Sequence, residues 1–372
     1  MASGSANTPA VVANTLGPRR FFQHLADNFQ NEHWEYEKRL GFGAYGYTAL
    51  IKWKGSSEEP PPVQRMVIKF AIGSSSRGQI SLRHEIGTLE MLNGARHIGS
   101  ILASCDDLVK AVRNKGNNIF SSPFDFAFES FVGITGPAMA LEYLELGDLV
   151  GLVNRVRADG RRVPNMILWS FFFCLLRATV GIAYPCRQPV GSRVQIIEEI
   201  PSDVQASILE HMDFNERNIM LTSSDEPTAE HEIGIAAKLI DFGLARSDGR
   251  QGGELQNIWD AARTIVTLIA PGSTMSRRST APYLGIETRA LDLVGETGDQ
   301  PFPLPWLDPD LRDLLARCMY ENRKNRPTLQ EALQIAEEAV RSKSATSYPD
   351  PVMEATEAIN DFIQELILNV PR

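Results

Sequence analysis

Short apolar stretches separated by polar turns dominate the first part of the chain, and several of them alternate apolar with polar side chains. This period of two predicts β-strands with one buried face. The predicted strands are residues 34–39, 47–53, 66–70, 124–131 and 138–144, followed by a strand within 204–210 and strands at 219–221 and 239–240.

The later part of the chain changes to a helical period, with apolar residues recurring at intervals of three and four. This pattern predicts helices that bury one face. The predicted helices are residues 21–29, 81–93, 149–157, 163–184, 257–269, 309–319, 329–340 and 353–370. We expect the last of these to fold back onto the other helices rather than bind a partner. A strand-rich beginning and a helical remainder indicate an α+β protein.

Polar segments between these elements are expected to lie at the surface. Residues 1–17 are rich in small polar residues without a period, which predicts a disordered tail. Residues 106–118 are predicted to be an exposed insertion, residues 186–203 an insertion before the segment with Asp213, residues 222–237 an acidic insertion, and residues 272–299 a loop-rich segment.

Composition limits the classes of function. The 372 residues carry a net charge of −9, which argues against general binding to nucleic acid or to acidic membranes. Four cysteines without a CxxC pair predict reduced thiols and argue against zinc. The apolar run 171–176 is too short to span a bilayer, so it predicts a buried helix. With no visible secretory signal, the sequence favours a cytoplasmic protein, and a nuclear location stays open.

Candidate chemistry lies at the ends of two strands in the middle of the chain. Asp213 and Asn218 precede the strand at 219–221, and Asp241 directly follows the strand at 239–240. Two carboxylates and an amide brought together at loop tips can hold magnesium and accept a hydroxyl proton. The alternative for Asp213 and Asn218 is loop capping, for which both residue types are favoured.

A glycine-rich loop lies between the first two predicted strands. Gly41, Gly43 and Gly46 have GxGxxG spacing, and Thr48 follows in a strand rather than a helix. This order favours a flap that lets backbone amides approach nucleotide phosphates over a dinucleotide-binding turn. A flexible turn without a ligand is the structural alternative.

One lysine interrupts the apolar strand at 66–70, and a helix with glutamates follows it. Glu85 in that helix is the candidate partner of Lys69; the pairing is what the family resemblance described below implies, and such a pair aims the ammonium at phosphate. Glu90 is a surface alternative for the partner. Lys69 as a charge protecting an edge strand is the structural alternative.

The order of these motifs resembles the eukaryotic protein kinase family, whose His-x-Asp-x-x-x-x-Asn and Asp-Phe-Gly elements appear here at His211 and Asp241. The resemblance covers roughly residues 34–340. It implies a bilobal fold, with a small antiparallel β-sheet lobe and a larger, mainly helical lobe. The implied domains are a disordered tail at 1–17, a sheet lobe with a leading helix at 18–142, a helical lobe at 143–341, and a linker with an extra helix at 342–372.

The resemblance further implies a phosphotransferase that uses ATP and Mg²⁺ to phosphorylate a Ser/Thr or Tyr hydroxyl. Asp213 would be the catalytic base, Lys69 and Glu85 the phosphate-binding pair, and Arg217 an additional catalytic cation. Asn218 and Asp241 would bind the metal. The implied ATP-binding residues are Gly41, Gly43, Gly46, Thr48, Lys69, Glu142, Leu144 and Asp148. Asp148 is equally a candidate helix N-cap.

Several positions depart from the family pattern. Met212 stands where many members have arginine, and Asn215 where Ser/Thr-specific members have lysine. Thirteen residues, 244–256, separate Gly243 from Asn257, and no Ala-Pro-Glu element is legible there. Arg326 therefore lacks the glutamate that its counterpart pairs with in the family.

Three functions stay open at this point. The first is a protein kinase, which the motif order favours, with an unidentified protein substrate or regulatory partner. The second is a kinase acting on a small molecule, which suits the shortened segment after Gly243. The third is an ATP-binding pseudokinase that acts as a scaffold.

Overall fold

The computed structural model describes residues 16–29, 31–43, 46–55, 63–71, 76–113, 128, 130–224, 231–247, 252–273 and 279–369. The predicted disordered tail up to residue 15, the predicted strand residues Phe124 and Phe126, and parts of the insertions at 106–118 and 222–237 lie outside these ranges.

The described residues have an α+β structure and divide into two compact units. The first unit consists of the described residues of Met1–Asn93, Ser100–Tyr143 and Arg187–Val194. Its strands are β1 (Trp34–Phe42), β2 (Gly46–Trp53), β3 (Arg65–Ala71), β4 (Ile101–Cys105) and β5 (Ala138–Glu142). They form a five-stranded antiparallel sheet in the order β1-β2-β3-β5-β4.

Three helices accompany this sheet, namely α1 (Pro18–Asn28), α2 (Ser76–Leu92) and α3 (Leu108–Arg113). The predicted apolar face of α1 is confirmed, because Phe21, Phe22 and Leu25 are buried. The Phe21 ring stacks on Tyr47 of β2 with 4.2 Å between ring centroids. Aromatic pairs at this distance add to the energy of burial, and they attach α1 to the sheet.

Two predictions for the first unit are wrong. Residues 106–118 were expected to be an exposed insertion, but Leu108 and Ala111 of α3 are buried in the apolar core. Phe128 and Phe131 were expected in a strand, but the amide of Phe131 donates to the carbonyl of Phe128 in a turn. Both phenylalanines are buried, so the apolar pattern reflected core packing rather than strand period.

The second unit consists of the described residues of Gly94–Gly99, Leu144–Cys186 and Gln195–Arg372. Its helices are α4 (Leu149–Asp159), α5 (Asn165–Ala183), α6 (Gly253–Ile269), α7 (Leu291–Val294), α8 (Pro309–Cys318), α9 (Leu329–Ser342) and α10 (Thr356–Ile363). Its strands form two antiparallel hairpins, β6 (Ile219–Ser223) with β7 (Ile235–Leu239), and β8 (Ala281–Tyr283) with β9 (Ile286–Thr288).

Helix α5 is the centre of the second unit. It is long and apolar enough to cross a membrane by length and composition, but nearly all of it is buried against α6, α9 and β7. The prediction of a buried helix around residues 171–176 is therefore confirmed. Gly181 allows a close approach within this helix, since a Cβ atom there would lie 3.1–3.2 Å from side-chain atoms of Ile98, Ala95 and Glu198.

The predicted C-terminal helix is confirmed as α10, which continues into a π-helical turn at Gln364–Leu368. Its predicted apolar face, which contains Phe362 and Leu366, is buried. Arg155 of α4 donates from Nε to the carbonyl of Leu366 at 2.6 Å. The segment therefore packs back onto the helical unit, as its pattern predicted.

Three predictions for the second unit are wrong. Residues 204–209 form no strand, although Glu210 makes an isolated β-bridge with Arg246. The described part of the loop-rich segment 272–299 contains a β-hairpin and α7. The acidic insertion is shorter than 222–237, because β7 already begins at Ile235 and is fully buried.

Candidate functional site

Lys69 and Glu85 form an ion pair in the first unit. Lys69 lies in β3 and Glu85 in α2, and Nζ is 2.6 Å from Oε1. The Glu85 residue is only 3% exposed, so its carboxylate requires a cationic partner. Glu90, the alternative partner, instead accepts a hydrogen bond from Ser104 Oγ at 2.9 Å.

The glycine-rich loop ends beside this lysine. A Cβ atom on Gly46 would lie 2.9 Å from the backbone carbonyl oxygen of Phe70, so a larger residue would clash with the neighbouring strand, and 3.5 Å from Lys69 Cε, which is an ordinary contact distance. At Gly41 and Gly43 a Cβ atom would meet nothing within 4 Å. Thr48 pairs with Lys69 across β2 and β3. The structure thus explains Gly46 by close packing, and the nucleotide-binding role of the three glycines stays a prediction.

The predicted adenine-binding segment follows β5. The backbone amide of Glu142 donates to the carbonyl of Ser100, and its carboxylate accepts from the Ser100 amide at 2.7 Å. Leu144 is buried in the second unit. Asp148 caps α4, because its carboxylate accepts from the amide of Gly151 at 2.8 Å. The capping role of Asp148 is confirmed, and its contact with a ribose stays a prediction.

The carboxylate of Asp213 is held in the second unit by two amides. Asn215 Nδ2 donates to Oδ1 at 2.6 Å, and Asn218 Nδ2 donates to Oδ2 at 2.8 Å. Both amides also donate to the backbone carbonyl of Asp213. Because each oxygen has its own donor, the carboxylate plane is fixed in one orientation.

Asn218 and Asp241 lie side by side at the end of the β6–β7 hairpin. Ile219 pairs with Leu239 in this hairpin, and the amide of Ile240 donates to the carbonyl of Asn218 at 2.8 Å. Asp241 adopts a φ of +63°, which is uncommon for a residue with a side chain. Its side chain is exposed, so the hairpin presents an amide and a carboxylate at neighbouring positions.

His211 connects the two loops beneath these side chains. Its Nε2 donates to the carbonyl of Ile240 at 3.1 Å, and its Nδ1 accepts from the amide of Asp213 at 3.2 Å. These partners assign the neutral tautomer with the proton on Nε2. Burial lowers the pKa of His211 to about 4 despite the nearby carboxylates of Asp213 and Asp241. The Phe242 ring packs edge-on against the imidazole with 4.6 Å between centroids.

Asn257 of α6 supports the same loop from inside the unit. Its Oδ1 accepts from the amide of His211 at 3.1 Å, and its Nδ2 donates to the carbonyl of Leu209 at 3.0 Å. The side chain is buried and uses both halves of its amide. An ionised aspartate at this position could accept the first of these hydrogen bonds but could not donate the second.

The sequence analysis gave His211 no role of its own and named Asn215 only as a departure from the family pattern. The family resemblance does imply a role for Asn257, because it stands where that pattern has an aspartate bracing the loop. Its residue type gave no further signal, since it lies about forty positions beyond the loop that it supports. For His211, its place two residues before Asp213 was the signal that could have identified it.

The remaining predicted residues are placed differently. Arg217 is exposed, and its backbone amide donates to Asn215 Oδ1 at 3.0 Å, so its catalytic role stays a prediction. Arg326 donates to the carbonyls of Tyr320 and Leu255 at 2.8 and 2.9 Å. These carbonyls are its partners in a chain without the family's Ala-Pro-Glu glutamate.

A scan of the chain against protein-family models finds no matching family. The assignment of an activity therefore depends on the geometry of the residues described above.

Proposed function

We propose that the chain is an ATP-dependent phosphotransferase of the protein kinase type, with the bilobal architecture of that family. The observation that carries this proposal is the hydrogen bond from the Ile240 amide to the carbonyl of Asn218 at 2.8 Å. It places the candidate metal ligands Asn218 and Asp241 at adjacent strand ends. The same Asn218 amide group holds the carboxylate of Asp213, the candidate base.

The donor set suits magnesium. Mg²⁺ prefers carboxylate and amide oxygens together with phosphate oxygens. Because Asn218 Nδ2 is committed to Asp213, its Oδ1 is the atom that a cation would take. The exposed carboxylate of Asp241 supplies a second oxygen ligand. ATP would supply the phosphoryl group that is transferred, and the magnesium ion would neutralise the negative charge that develops on the phosphate oxygens.

The chain's own residues would divide the remaining work. Lys69, oriented by Glu85, binds the α- and β-phosphates. Asp213 accepts the proton of the attacking hydroxyl and orients its oxygen. The amides of Asn215 and Asn218 keep that carboxylate in position, and such preorganisation supplies most of the rate in phosphoryl transfer.

The nature of the acceptor hydroxyl follows less directly. The family's peptide-binding elements lie between the Asp-Phe-Gly triplet and the helix corresponding to α6. Here α6 begins at Gly253, so nine residues, 244–252, fill this interval. This short interval favours a small-molecule hydroxyl as the second candidate acceptor beside a Ser/Thr or Tyr side chain.

Incubation with γ-labelled ATP and Mg²⁺ tests the proposal, using the protein alone, with generic protein substrates and with a pool of small metabolites. We expect labelled product in at least one arm, and loss of product in Asp213→Asn. The matched control is Asp203→Asn, which makes the same change on an exposed loop and should keep full activity.

A thermal shift measured on the same proteins separates catalysis from binding. Saturating ATP·Mg²⁺ at a hundredfold excess over Kd stabilises a native protein by about 2.7 kcal/mol. Asp213→Asn should keep this shift. A thermal shift with ATP·Mg²⁺ but no labelled product in any arm would favour a nucleotide-binding scaffold over an enzyme. The absence of a thermal shift would contradict nucleotide binding.

A further inference from the structure

Three side chains converge in the interior of the second unit, away from the acidic loops. His97, Cys174 and His231 are each fully buried. Their ligand-type atoms all lie within 4.8 Å of one another. The residues come from the segment Gly94–Gly99, the middle of α5 and the turn that precedes β7.

Two of the three distances between these atoms are close to those in a tetrahedral metal centre, and the third is within 4.8 Å. His97 Nε2 lies 3.1 Å from His231 Nε2, and Cys174 Sγ lies 3.5 Å from His231 Nε2. With ordinary zinc–ligand bond lengths, two tetrahedral ligands are separated by about 3.3 Å for two nitrogens and about 3.6 Å for nitrogen and sulfur.

Glu198 completes the arrangement from outside the three ligands. Its Oε2 lies 2.8 Å from Nδ1 of His97, and its Oε1 accepts from the backbone amide of His97 at 2.7 Å. A histidine that binds a metal through one ring nitrogen usually donates its other N–H to a carboxylate, which fixes the ring and its tautomer. Nε2 of His97 is thereby turned toward the cluster.

Hydrogen bonds alone do not satisfy all three polar atoms of this cluster at once. His231 Nε2 faces both His97 Nε2 and Cys174 Sγ, yet a ring nitrogen carries either one proton or one lone pair. A cation placed between the three atoms uses a lone pair from each. A divalent ion also balances the negative charges of a Cys174 thiolate and the Glu198 carboxylate, which a buried site requires.

We propose that His97, Cys174 and His231 bind a structural zinc ion, with Glu198 as the positioning residue for His97. One thiolate and two imidazoles form a typical zinc ligand set, and a water molecule can complete the coordination of an ion with three protein ligands. Binding displaces the thiol proton of Cys174 to solvent and changes no oxidation state.

The site lies directly behind the strand that leads to Asp241. The amide of Leu239 donates to the carbonyl of His97 at 2.9 Å, and the amide of Gly99 donates to the carbonyl of Leu239 at 2.9 Å. An ion bound through His97, His231 and Cys174 would therefore connect three segments: the segment Gly94–Gly99 beside β7, the turn that precedes β7, and α5. This role is independent of the proposed phosphotransferase activity.

The metal content of the full-length protein tests the proposal. Protein expressed with zinc in the medium and purified without chelators should contain one zinc ion per chain by mass spectrometry. Refolding with Co²⁺ in place of Zn²⁺ should produce a thiolate-to-cobalt charge-transfer absorption band. Cys174→Ser should lose both signals, whereas Cys318→Ser, which alters another fully buried thiol, should keep them.

Glu198→Gln tests the proposal even if Cys174→Ser fails to fold. It should keep the fold but weaken zinc binding by about 10- to 100-fold in competition with a chromophoric chelator. Wild-type protein that contains no zinc, and that unfolds at the same temperature after refolding with and without Zn²⁺, would overturn the proposal. Protein that is purified with bound copper instead of zinc from the zinc-supplemented medium would overturn the choice of ion, since one cysteine and two histidines also suit copper.

Discussion

The imidazole of His211 donates a hydrogen bond from Nε2 to the carbonyl oxygen of Ile240 at 3.1 Å. This bond attaches the loop of Asp213 to the strand end that precedes Asp241. It also determines the protonation state of the ring, because Nδ1 already accepts from the amide of Asp213. A second proton on Nδ1 would remove that acceptor and place a charge in a fully buried position.

This arrangement predicts a specific pH dependence of stability. The pKa of His211 is lowered by burial to about 4, below its ordinary value of 6.5. The stabilisation is therefore fully present above pH 6.5 and is lost as the pH falls toward 4, because the unfolded chain takes up the proton first. The loss is on the order of 3 kcal/mol. Denaturant unfolding at pH 7 and pH 4 measures it.

His211→Gln removes this titration, so its free energy of unfolding should fall less between the two pH values than that of the wild type. Titration of the other groups occurs in both proteins and cancels in the comparison. His84→Gln is the matched control, because His84 is exposed on α2. An equal fall in His211→Gln and in the wild type would contradict the lowered pKa of His211 in the folded protein.

Asn257 allows a second test on the inner side of the same loop. Asn257→Asp keeps the acceptor for the His211 amide but replaces the donor to the Leu209 carbonyl by a carboxylate oxygen. Leaving a buried polar group unsatisfied costs about 1–3 kcal/mol, and we expect a destabilisation of this size at pH 8. Thermal or urea unfolding measures it.

The same variant should lose part of its defect as the pH is lowered, because a protonated carboxyl regains a donor. Asn322→Asp is the control. Asn322 is exposed and only accepts, from the amide of Lys324 at 3.0 Å, so aspartate can replace it at this cap with little effect. A pH-independent defect at Asn257 would point to altered packing instead.

The sequence pattern correctly predicted structural features that depend on residues close together in the chain. The apolar faces of α1 and α10 and the N-cap at Asp148 follow from residues within one or two helical turns. The Lys69–Glu85 pair was also predicted, although the choice of Glu85 over Glu90 in the same helix came from the family resemblance rather than from local pattern. Each of these features has a short sequence separation and one dominant physical cause.

Features that join distant segments could not be predicted in the same way. The phenylalanines at 128 and 131 satisfied the pattern of a strand, but their burial alone explains their apolar character. The expectation against zinc considered only CxxC spacing, whereas His97, Cys174 and His231 meet from three separate segments. Spacing rules consider ligands that are close in sequence, and they give no information on side chains that tertiary packing brings together.

The Lys69–Glu85 pair provides the third test. Glu85→Gln removes the charge that orients the ammonium but keeps the side-chain volume. A hydrogen bond involving a charged group contributes about 1.5–3 kcal/mol, so phosphate transfer should fall by roughly tenfold to a hundredfold. The thermal shift with ATP·Mg²⁺ should also become smaller, because the lysine no longer points at phosphate.

Glu90→Gln is the matched control in the same helix. Glu90 accepts from Ser104 Oγ at 2.9 Å rather than pairing with Lys69. Its loss should leave both the transfer rate and the nucleotide-induced shift unchanged. If Glu85→Gln and Glu90→Gln behaved alike, the ion pair at Lys69 would be a structural contact of β3 and α2. The orientation of Lys69 by Glu85 would then make no contribution to the rate of the proposed reaction.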